Sequence, residues 1–375
     1  MKRPVLRTRL CELLGIEYPI VQAGMGGRTA WVFATNPELV AAVSNAGGLG
    51  VLGAAGMDPP VIHDDIVRIK KLTSKPFGVD LLLPGGEGAI SGATVQEAQL
   101  DPKLVTFVEQ LRERFDLPLG GAPPGERRHL FPETIREQLR VVFEDRVPVF
   151  VSGLGDPGPW AREAHKRGMV VMSLVGNVKA AKRVAQSGVD VIVAQGYDAG
   201  GHTGRVGTFS LVPQVVDAVA PIPVMAAGGI ADGRGVVAAL ALGAVGAWVG
   251  TRFLATREAG IRDYHKQRIV QAGDEDTRIT RIYSGKTMRA LANPVIEAWE
   301  KSGMPTMPMP LQGTLMDRFT ASAVAAQRFD LVVQPAGQGA GLVRELMSAR
   351  EVVEEMVSEA VAILQDRFPQ GVTVS

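Results

Sequence analysis

A histidine stands inside a glycine-rich stretch near the middle of the chain, in the run VDVIVAQGYDAGGHTGRVG at residues 189–207. The apolar start of the run, residues 189–194, is rich in β-branched side chains and predicts a strand buried on both faces. The glycines that follow let the backbone turn sharply and approach a ligand closely. Imidazole titrates near neutral pH, so His202 has the chemistry to exchange a proton with a carbon acid or an anion. The alternative is a solvated histidine in a glycine turn.

Two more glycine turns follow apolar runs, at residues 227–230 (AGGI) and 250–252 (GTR). Such turns expose backbone N–H groups, the short helices after them add positive dipole ends, and Thr251 can donate a hydroxyl hydrogen bond. Two neighbouring turns of this kind predict a phosphate-bearing cofactor, and the alternative is two tight turns without a ligand. FMN fits, with its phosphate at these turns and its reactive ring edge held against a substrate.

The elements that must position these residues follow a regular alternation of apolar runs and helical sequence. Eight such runs predict strands, and eight is the number that closes a (β/α)₈ TIM barrel; a doubly wound open sheet is the alternative. Asn36, Asn177 and Asp232 are predicted to cap helices. The predicted strands are residues 19–23, 48–53, 76–83, 147–153, 169–176, 189–194, 221–227 and 244–250.

Two parts of the chain depart from the alternation. Helices are predicted at residues 101–115 and 132–143, with a loop at 117–128 between them. Beyond Thr251 the sequence is rich in Arg and Lys, and we predict a mainly helical, substrate-covering insertion at 256–320. The FMN-binding barrel with its C-terminal helices then comprises residues 1–255 and 321–375. A stiff apolar Met-Pro segment at 304–310 predicts either a cover over a substrate pocket or a surface linker.

Composition narrows the classes of partner. The chain has 375 residues and a net charge of +1, which gives no reason to expect nucleic acid or an anionic membrane as a partner. The longest apolar stretch, residues 236–249, is interrupted by glycines and is shorter than the ~20 residues of a membrane helix. The single cysteine, Cys11, excludes an intrachain disulfide. A reducing compartment suits one cysteine, so we predict a cytoplasmic protein.

Several common catalytic motifs are missing from the sequence. It contains no G-x-G-x-x-G that follows a first strand and has an acidic residue at the required distance, and it contains no P-loop, no H-E-x-x-H and no G-x-S-x-G elbow. The other four histidines, His63, His129, His165 and His265, fall in charged helix or loop sequence without metal-ligand spacing. We therefore predict that they lie at the surface and that the protein binds no metal.

Five segments together carry a resemblance to a known family: GYDAGGHTG, PVMAAGGIADGRG, WVGTRFL, YSGKTMRALAN and PAGQGAGLV. In this combination the chain resembles the nitronate monooxygenases, formerly called 2-nitropropane dioxygenases, and is similar to the related flavin-dependent enoyl-ACP reductases. The resemblance extends from Pro19 to Val343. It implies a TIM-barrel FMN enzyme with an insertion after the last strand, acting on a small molecule and O₂.

The resemblance also implies roles for individual residues. His202 matches the catalytic base, and Gln195 matches a residue at the polar edge of the flavin. Ala23 and Met25 match residues of the turn after the first strand, whose backbone and side chain contact the flavin ring in the family. Asp80 matches a position that usually holds Asn against the flavin. The remaining implied FMN contacts are Gly200, Gly201, Gly228, Gly229, Trp248, Val249, Gly250 and Thr251, with the phosphate near Gly229, Gly250 and Thr251.

Three positions depart from the family pattern. Gly24 stands where the family has Pro, which predicts a looser turn, and Asp198 stands where it commonly has Glu. Asp80 replaces Asn. An ionised carboxylate only accepts hydrogen bonds and adds negative charge beside the flavin. On that basis Asp80 is expected to disfavour reduced flavin, and Asp80→Asn is expected to raise the flavin midpoint.

The leading function is oxidation of alkyl nitronates by O₂ to a carbonyl compound and nitrite. His202 would deprotonate a neutral nitroalkane or stabilise the bound anion. One alternative is an NAD(P)H-dependent reductase of an enoyl thioester or quinone, and another is a flavin-binding protein without turnover. The sequence leaves the physiological substrate and the oligomeric state open, a homodimer included.

Overall fold

Eight parallel strands close into a barrel in the computed structural model, which describes residues 5–26, 34–83, 100–119 and 132–371. The pairing order is β1-β2-β3-β4-β5-β6-β8-β9, and β1 pairs with β9 to close the ring. The predicted TIM barrel is therefore confirmed. The barrel strands are β1 (Ile20–Gln22), β2 (Leu49–Gly53), β3 (Phe77–Leu83), β4 (Val149–Gly155), β5 (Val170–Val175), β6 (Val191–Gln195), β8 (Val224–Ala227) and β9 (Ala247–Val249).

The barrel interior is packed with apolar side chains from alternate positions of these strands. Val21, Val193 and Met225 belong to this cluster and are inaccessible to solvent. Helix α1 (Arg9–Leu14) adds Leu10 and the buried Cys11 to the same cluster. The other side of each strand packs against the outer helices, which is why the strands are apolar throughout instead of alternating.

The outer helices begin where the sequence predicts. The side chain of Asn36 accepts a hydrogen bond from the backbone N–H of Leu39 at 2.9 Å, and Asn177 and Asp232 cap their helices in the same way. These three predicted caps are confirmed. The helices before and around the barrel are α2 (Pro37–Asn45), α3 (Pro59–Leu72), α4 (Pro102–Arg114), α5 (Pro132–Glu144), α6 (Gly158–Lys166), α7 (Val178–Ala185), α8 (Thr208–Val219) and α9 (Gly233–Ala241).

After the last barrel strand the chain forms helices and a small antiparallel sheet. The sheet has the order β10-β11-β7, where β7 is only Gly201–His202. We did not predict β10 (Thr277–Thr280) or β11 (Met288–Leu291). The helices of this part are α10 (Thr251–Leu254), α11 (Asp263–Val270), α12 (Pro294–Ser302), α13 (Leu311–Ala325), α14 (Ala349–Ala362) and α15 (Phe368–Gly371), with short 3₁₀ turns at Phe329–Leu331 and Gln338–Leu342 and a π turn at Ile363–Arg367.

The core of this C-terminal part includes a helix from much earlier in the chain. Leu104, Val108 and Leu111 of α4 share one apolar cluster with residues of α12 and α13. The rings of Phe107 and Trp299 meet edge to face with centroids 5.1 Å apart, a favoured aromatic geometry. This apolar cluster is thus built from two separate chain segments. Within the described ranges no helix is both long and apolar enough to cross a membrane.

Candidate functional site

A cavity of about 350 Å³ lies at the carboxyl ends of the barrel strands, a size within the usual range of small-molecule sites. It is the position at which TIM barrels bind their ligands. The cavity brings together twelve of the thirteen predicted site residues, namely Ala23, Met25, Asp80, Gln195, Gly200, Gly201, His202, Gly228, Gly229, Trp248, Gly250 and Thr251.

Val249 is the predicted site residue that does not line the cavity. Its side chain is buried in the apolar cluster outside the barrel, beside Phe253 and Val236. Its carbonyl accepts a hydrogen bond from the backbone N–H of Ala23 at 2.9 Å. The backbone of Val249 therefore holds in place the segment at residues 23–25, which lines the cavity.

His202 is held by the small antiparallel sheet. It pairs with Met288 of β11, and its Nε2 lies 2.9 Å from the hydroxyl of Ser284. The amide of Gln195 donates to the backbone carbonyl of His202 at 2.8 Å. Desolvation by the surrounding protein, and to a smaller extent the charge of Lys286, lowers the pKa of His202. The neutral imidazole, which is the form that accepts a proton, is therefore favoured.

Asp80 is buried between Gly24, which follows β1, and Gly153 of β4. A Cβ atom added at Gly24 would lie 2.6 Å from the Cβ of Asp80, and one added at Gly153 would lie 2.6 Å from its Oδ1. A side chain at Gly24 or Gly153 would therefore collide with Asp80. Oδ1 is buried and has no hydrogen-bond partner.

The environment of Asp80 favours the neutral acid over the ionised carboxylate considered in the sequence analysis. Burial raises the pKa of Asp80 well above its usual value, although a backbone hydrogen bond from Gly153 acts in the opposite direction. The physical reason is that burial disfavours the charged form. The neutral acid is a hydrogen-bond donor as well as an acceptor, so it resembles Asn more closely than a carboxylate does.

The glycine turn after β8 has the backbone geometry that only glycine adopts easily. Gly228 and Gly229 have φ angles of +103° and +73°. Beside this turn, the hydroxyl oxygen of Thr251 accepts a hydrogen bond from the backbone N–H of Gly337 at 2.8 Å. The hydroxyl proton of Thr251 remains to be donated to a ligand in the cavity.

His265 is a cavity residue that the sequence analysis placed at the surface. That prediction is wrong: His265 is only 8% exposed and lines the cavity. One ring nitrogen bonds to the backbone of Pro335, while Nε2 is buried without a hydrogen-bond partner. Burial lowers the pKa of His265 to about 4. A sequence signal existed, because His265 lies one helical turn before the buried Ile269 and so on the same face of α11.

The other histidines stand apart from the cavity. His63 and His165 pair with Asp145 and Asp190, and their side chains are 53% and 41% exposed. Their predicted surface position is confirmed. His129 lies outside the described residues, as does most of the predicted 117–128 loop. Across the described chain there is no group of three or more His, Cys, Asp or Glu side chains that could hold a metal ion.

The Met-Pro segment does not contribute to the described lining of the cavity. The carbonyl of Met304 accepts from the indole of Trp299 at 2.9 Å, and the backbone N–H of Met307 donates to Gln312 at 2.8 Å. These contacts tie the segment to α12 and α13. Of its two predicted roles, the structure therefore does not support a direct cover over the pocket.

Two contact groups divide the cavity. The barrel-mouth group consists of Gly24, Asp80 and Gly153, which contact one another, together with the lining residue Gln195. The glycine-turn group consists of Gly229, Thr251 and Gly337, together with His265, which is attached through Pro335 of the same segment as Gly337. Each group contains one buried polar atom without a partner, Asp80 Oδ1 and His265 Nε2. An unpaired buried polar atom is costly, so a ligand with polar groups for both would complete the site.

Several known proteins are similar to this chain over nearly its whole length. Protein Rv1533 of Mycobacterium tuberculosis is 39% identical over 95% of this chain and 97% of its own. A structure of nitroalkane oxidase from Streptomyces ansochromogenes is 31% identical, with a TM-score of 0.77 over 95% of this chain and 99% of that chain. FabK from Thermotoga maritima is 30% identical, with a TM-score of 0.74 over 98% of this chain and 100% of that chain.

The family model described as nitronate monooxygenase matches residues 7–359, nearly the whole chain. The match covers the barrel, the antiparallel sheet with His202 and the segment that carries Pro335 and Gly337. The resemblance stated from the five sequence segments is therefore confirmed. The protein is a flavin oxidoreductase that belongs to the nitronate monooxygenase family.

Proposed function

We propose that the protein oxidises alkyl nitronates with O₂ to a carbonyl compound and nitrite, using FMN. The observation that carries the proposal is His202, a histidine favoured in its neutral form at the cavity wall and hydrogen-bonded to Ser284. The family match and the similarity to a nitroalkane oxidase support the same chemistry.

FMN suits the two contact groups. The glycine-turn group offers positive-φ glycines and a threonine hydroxyl for the phosphate, and the barrel-mouth group offers Asp80 and Gln195 for the polar edge of the ring. Ala23, Met25 and Trp248 supply apolar surface. Bound FMN would supply the acceptor for the substrate's electrons, which O₂ then removes.

His202 would take the proton from the carbon next to the nitro group of a neutral nitroalkane. The lowered pKa keeps the imidazole free to accept that proton. Once protonated, the imidazolium would pair with the nitronate anion that it has formed. A neutral Asp80 would not repel this anion, whereas an ionised carboxylate would.

A second candidate is the NAD(P)H-dependent reductase of an enoyl thioester or quinone. The similarity to FabK over nearly the whole of both chains supports it. In that case a reduced nicotinamide would be consumed in proportion to product, and no nitrite would form. The cytoplasmic location and the homodimer stay predictions from the sequence.

The proposal is tested by identifying the cofactor and counting products. The protein should release FMN on denaturation, identified by mass; FAD, or a protein that takes up no FMN, would contradict the cofactor assignment. With propionate 3-nitronate in air, nitrite and carbonyl product should appear as O₂ is consumed, without NADH or NADPH. Turnover that requires a nicotinamide and yields no nitrite would support the reductase instead.

A further inference from the structure

We infer that His265 is a ligand for the FMN phosphate, contributing a charge-assisted hydrogen bond from Nε2. The inference rests on the proposed use of FMN and adds a residue that neither the sequence pattern nor the resemblance indicated. Its basis is a histidine buried at the cavity wall whose Nε2 lacks a partner.

The segment at residues 335–339 connects His265 to the predicted phosphate turns. Pro335 bonds to the imidazole, and the N–H of Gly337 donates to Thr251 at 2.8 Å. A Cβ atom added at Gly339 would lie 3.1 Å from the carbonyl oxygen of Gly229. The Cα atoms of Pro335 and Gly337 are at most about 7.6 Å apart, because consecutive Cα atoms are separated by 3.8 Å. One short segment therefore contacts His265, Thr251 and Gly229.

The charge of the lining makes His265 the natural partner for a phosphate. No Lys or Arg lines the described part of the cavity, and its titratable side chains are Asp80, His202 and His265. Asp80 belongs to the barrel-mouth group, and His202 is already bonded to Ser284. Of the described lining side chains, His265 is thus the one in the glycine-turn group that can become a cation.

The contact requires one proton between imidazole and phosphate. Because one ring nitrogen bonds to Pro335, Nε2 of the neutral ring has only a lone pair to offer, and a phosphate dianion also only accepts. A proton must therefore be taken up when the two meet. The phosphate charge favours this uptake, against burial and against Arg268 of the same helix, which both lower the pKa of His265.

The other cations near the imidazole are occupied by neutral acceptors. Lys266 of the same helix donates to the carbonyl of Arg257 at 3.1 Å. Arg289 lies on β11, whose Ala290 bridges to Pro335, and it donates to Thr277 and to the carbonyl of Tyr197. Arg252, next to Thr251, donates to the carbonyl of Glu345. None of these cations lines the described part of the cavity, whereas His265 does.

Comparing FMN with riboflavin isolates the phosphate. His265→Asn retains an amide N–H that can reach Pro335 and removes Nε2, whereas His265→Gln keeps a neutral donor near the Nε2 position. Titration of the apoprotein, followed by flavin fluorescence, should show FMN affinity weakened about 10- to 150-fold in His265→Asn. The loss should be smaller in His265→Gln, and riboflavin affinity should change less than about twofold. The matched control is His63→Gln at the surface, which should bind both as wild type does.

Proton uptake provides a second test on the wild-type protein, so it does not depend on a variant that folds. At about pH 8 the free phosphate is a dianion. Calorimetry in two buffers of different ionisation enthalpy should show uptake of about one proton with FMN and none with riboflavin. Equal affinity losses for FMN and riboflavin, no loss for either, or no proton uptake would overturn the inference. Failure of the wild-type protein to bind FMN would instead refute the proposed cofactor.

Discussion

His202 and His265 line the same cavity in opposite environments. His202 sits on a two-residue strand, is open to the cavity and has Ser284 as its Nε2 partner. His265 sits on a helix, is buried, and its Nε2 has no partner. Access to substrate and a supporting hydrogen bond suit a histidine such as His202 to proton transfer. A buried histidine with an unmatched nitrogen is suited to completing a ligand site.

The largest effect should come from removing the proton acceptor. For His202→Asn, turnover of a neutral nitroalkane should fall by about 10²–10⁴-fold, the usual worth of a positioned base. Oxidation of a preformed nitronate should fall much less, because that substrate has already lost its proton. The measurement is kcat/KM for both substrates in wild type and variant.

The FMN content of the His202→Asn variant distinguishes a role in catalysis from a role in binding the cofactor. It should remain near that of wild type, since the glycine-turn group is untouched. Equal losses on both substrates would remove the base role and leave His202 as an anion-binding group. No loss on either substrate would support the alternative interpretation, in which His202 is a solvated histidine in a glycine turn.

A smaller effect is expected at the glycine-turn group. Thr251→Val removes the hydroxyl that can donate to a phosphate and leaves the N–H of Gly337 without its acceptor. FMN binding should weaken by roughly 1.5–3 kcal/mol, measured as a dissociation constant. Thr251→Ser keeps the hydroxyl and is the matched control. Equal weakening in both variants would show that the methyl group, not the hydroxyl, supports FMN.

Loss of the partner of His202 should have a milder effect still. Ser284→Ala removes one hydrogen bond to the imidazole, which is worth about 0.5–1.5 kcal/mol. We expect a 2- to 13-fold loss of kcat with the neutral nitroalkane and a shifted acid limb of the pH profile. A change confined to protein stability, with an unaltered pH profile, would make Ser284 merely structural.

The smallest functional effect is expected at Asp80, whose pKa is raised by burial. If the buried acid is neutral, Asp80→Asn leaves the local charge unchanged, and the flavin midpoint at pH 7 should barely move. A clear rise in the midpoint would instead mean that Asp80 is ionised beside the flavin. The variant thus tests whether the cavity carries a negative charge near the substrate anion.

The stability of the apoprotein checks the same point. A raised pKa of Asp80 means that its contribution to stability is present at low pH and is lost as pH rises towards the folded-state pKa. Asp80→Asn does not suffer this loss. Its melting temperature should therefore exceed that of wild type by an amount that grows above about pH 4. A difference independent of pH would contradict the shift.

Local features of the sequence predicted the barrel and much of the cavity. Buried parallel strands are continuous apolar runs in the sequence, and a helix cap depends on one side chain. Glycine turns are recognised from their glycines. The positions of residues such as Asn177 and Gly229 could therefore be predicted from their sequence neighbours alone. The antiparallel sheet was not predicted because β10 and β11 have only four residues each and β7 only two, and because β11 pairs with His202 from a distant part of the chain.

The properties that were missed depend on contacts distant in sequence. Ser284 lies 82 positions from His202, so nothing near the histidine indicates its partner. The ionisation of Asp80 depends on its burial between Gly24 and Gly153, which belong to different segments of the chain. The proposed role of His265 depends on its hydrogen bond to the backbone of Pro335, which lies far from it in the sequence. The charged neighbours of His265 in the sequence indicated a surface position, whereas the packing of α11 buries it.

The most direct test of the proposed chemistry is reduction of the bound flavin without oxygen. Purified protein is mixed anaerobically with propionate 3-nitronate, NADH or NADPH while the visible absorbance of oxidised flavin is followed. The nitronate should bleach that absorbance within the time of turnover, and neither nicotinamide should do so. Rapid bleaching by NADH or NADPH, with the nitronate inert, would contradict the account and assign the cavity to a reductase.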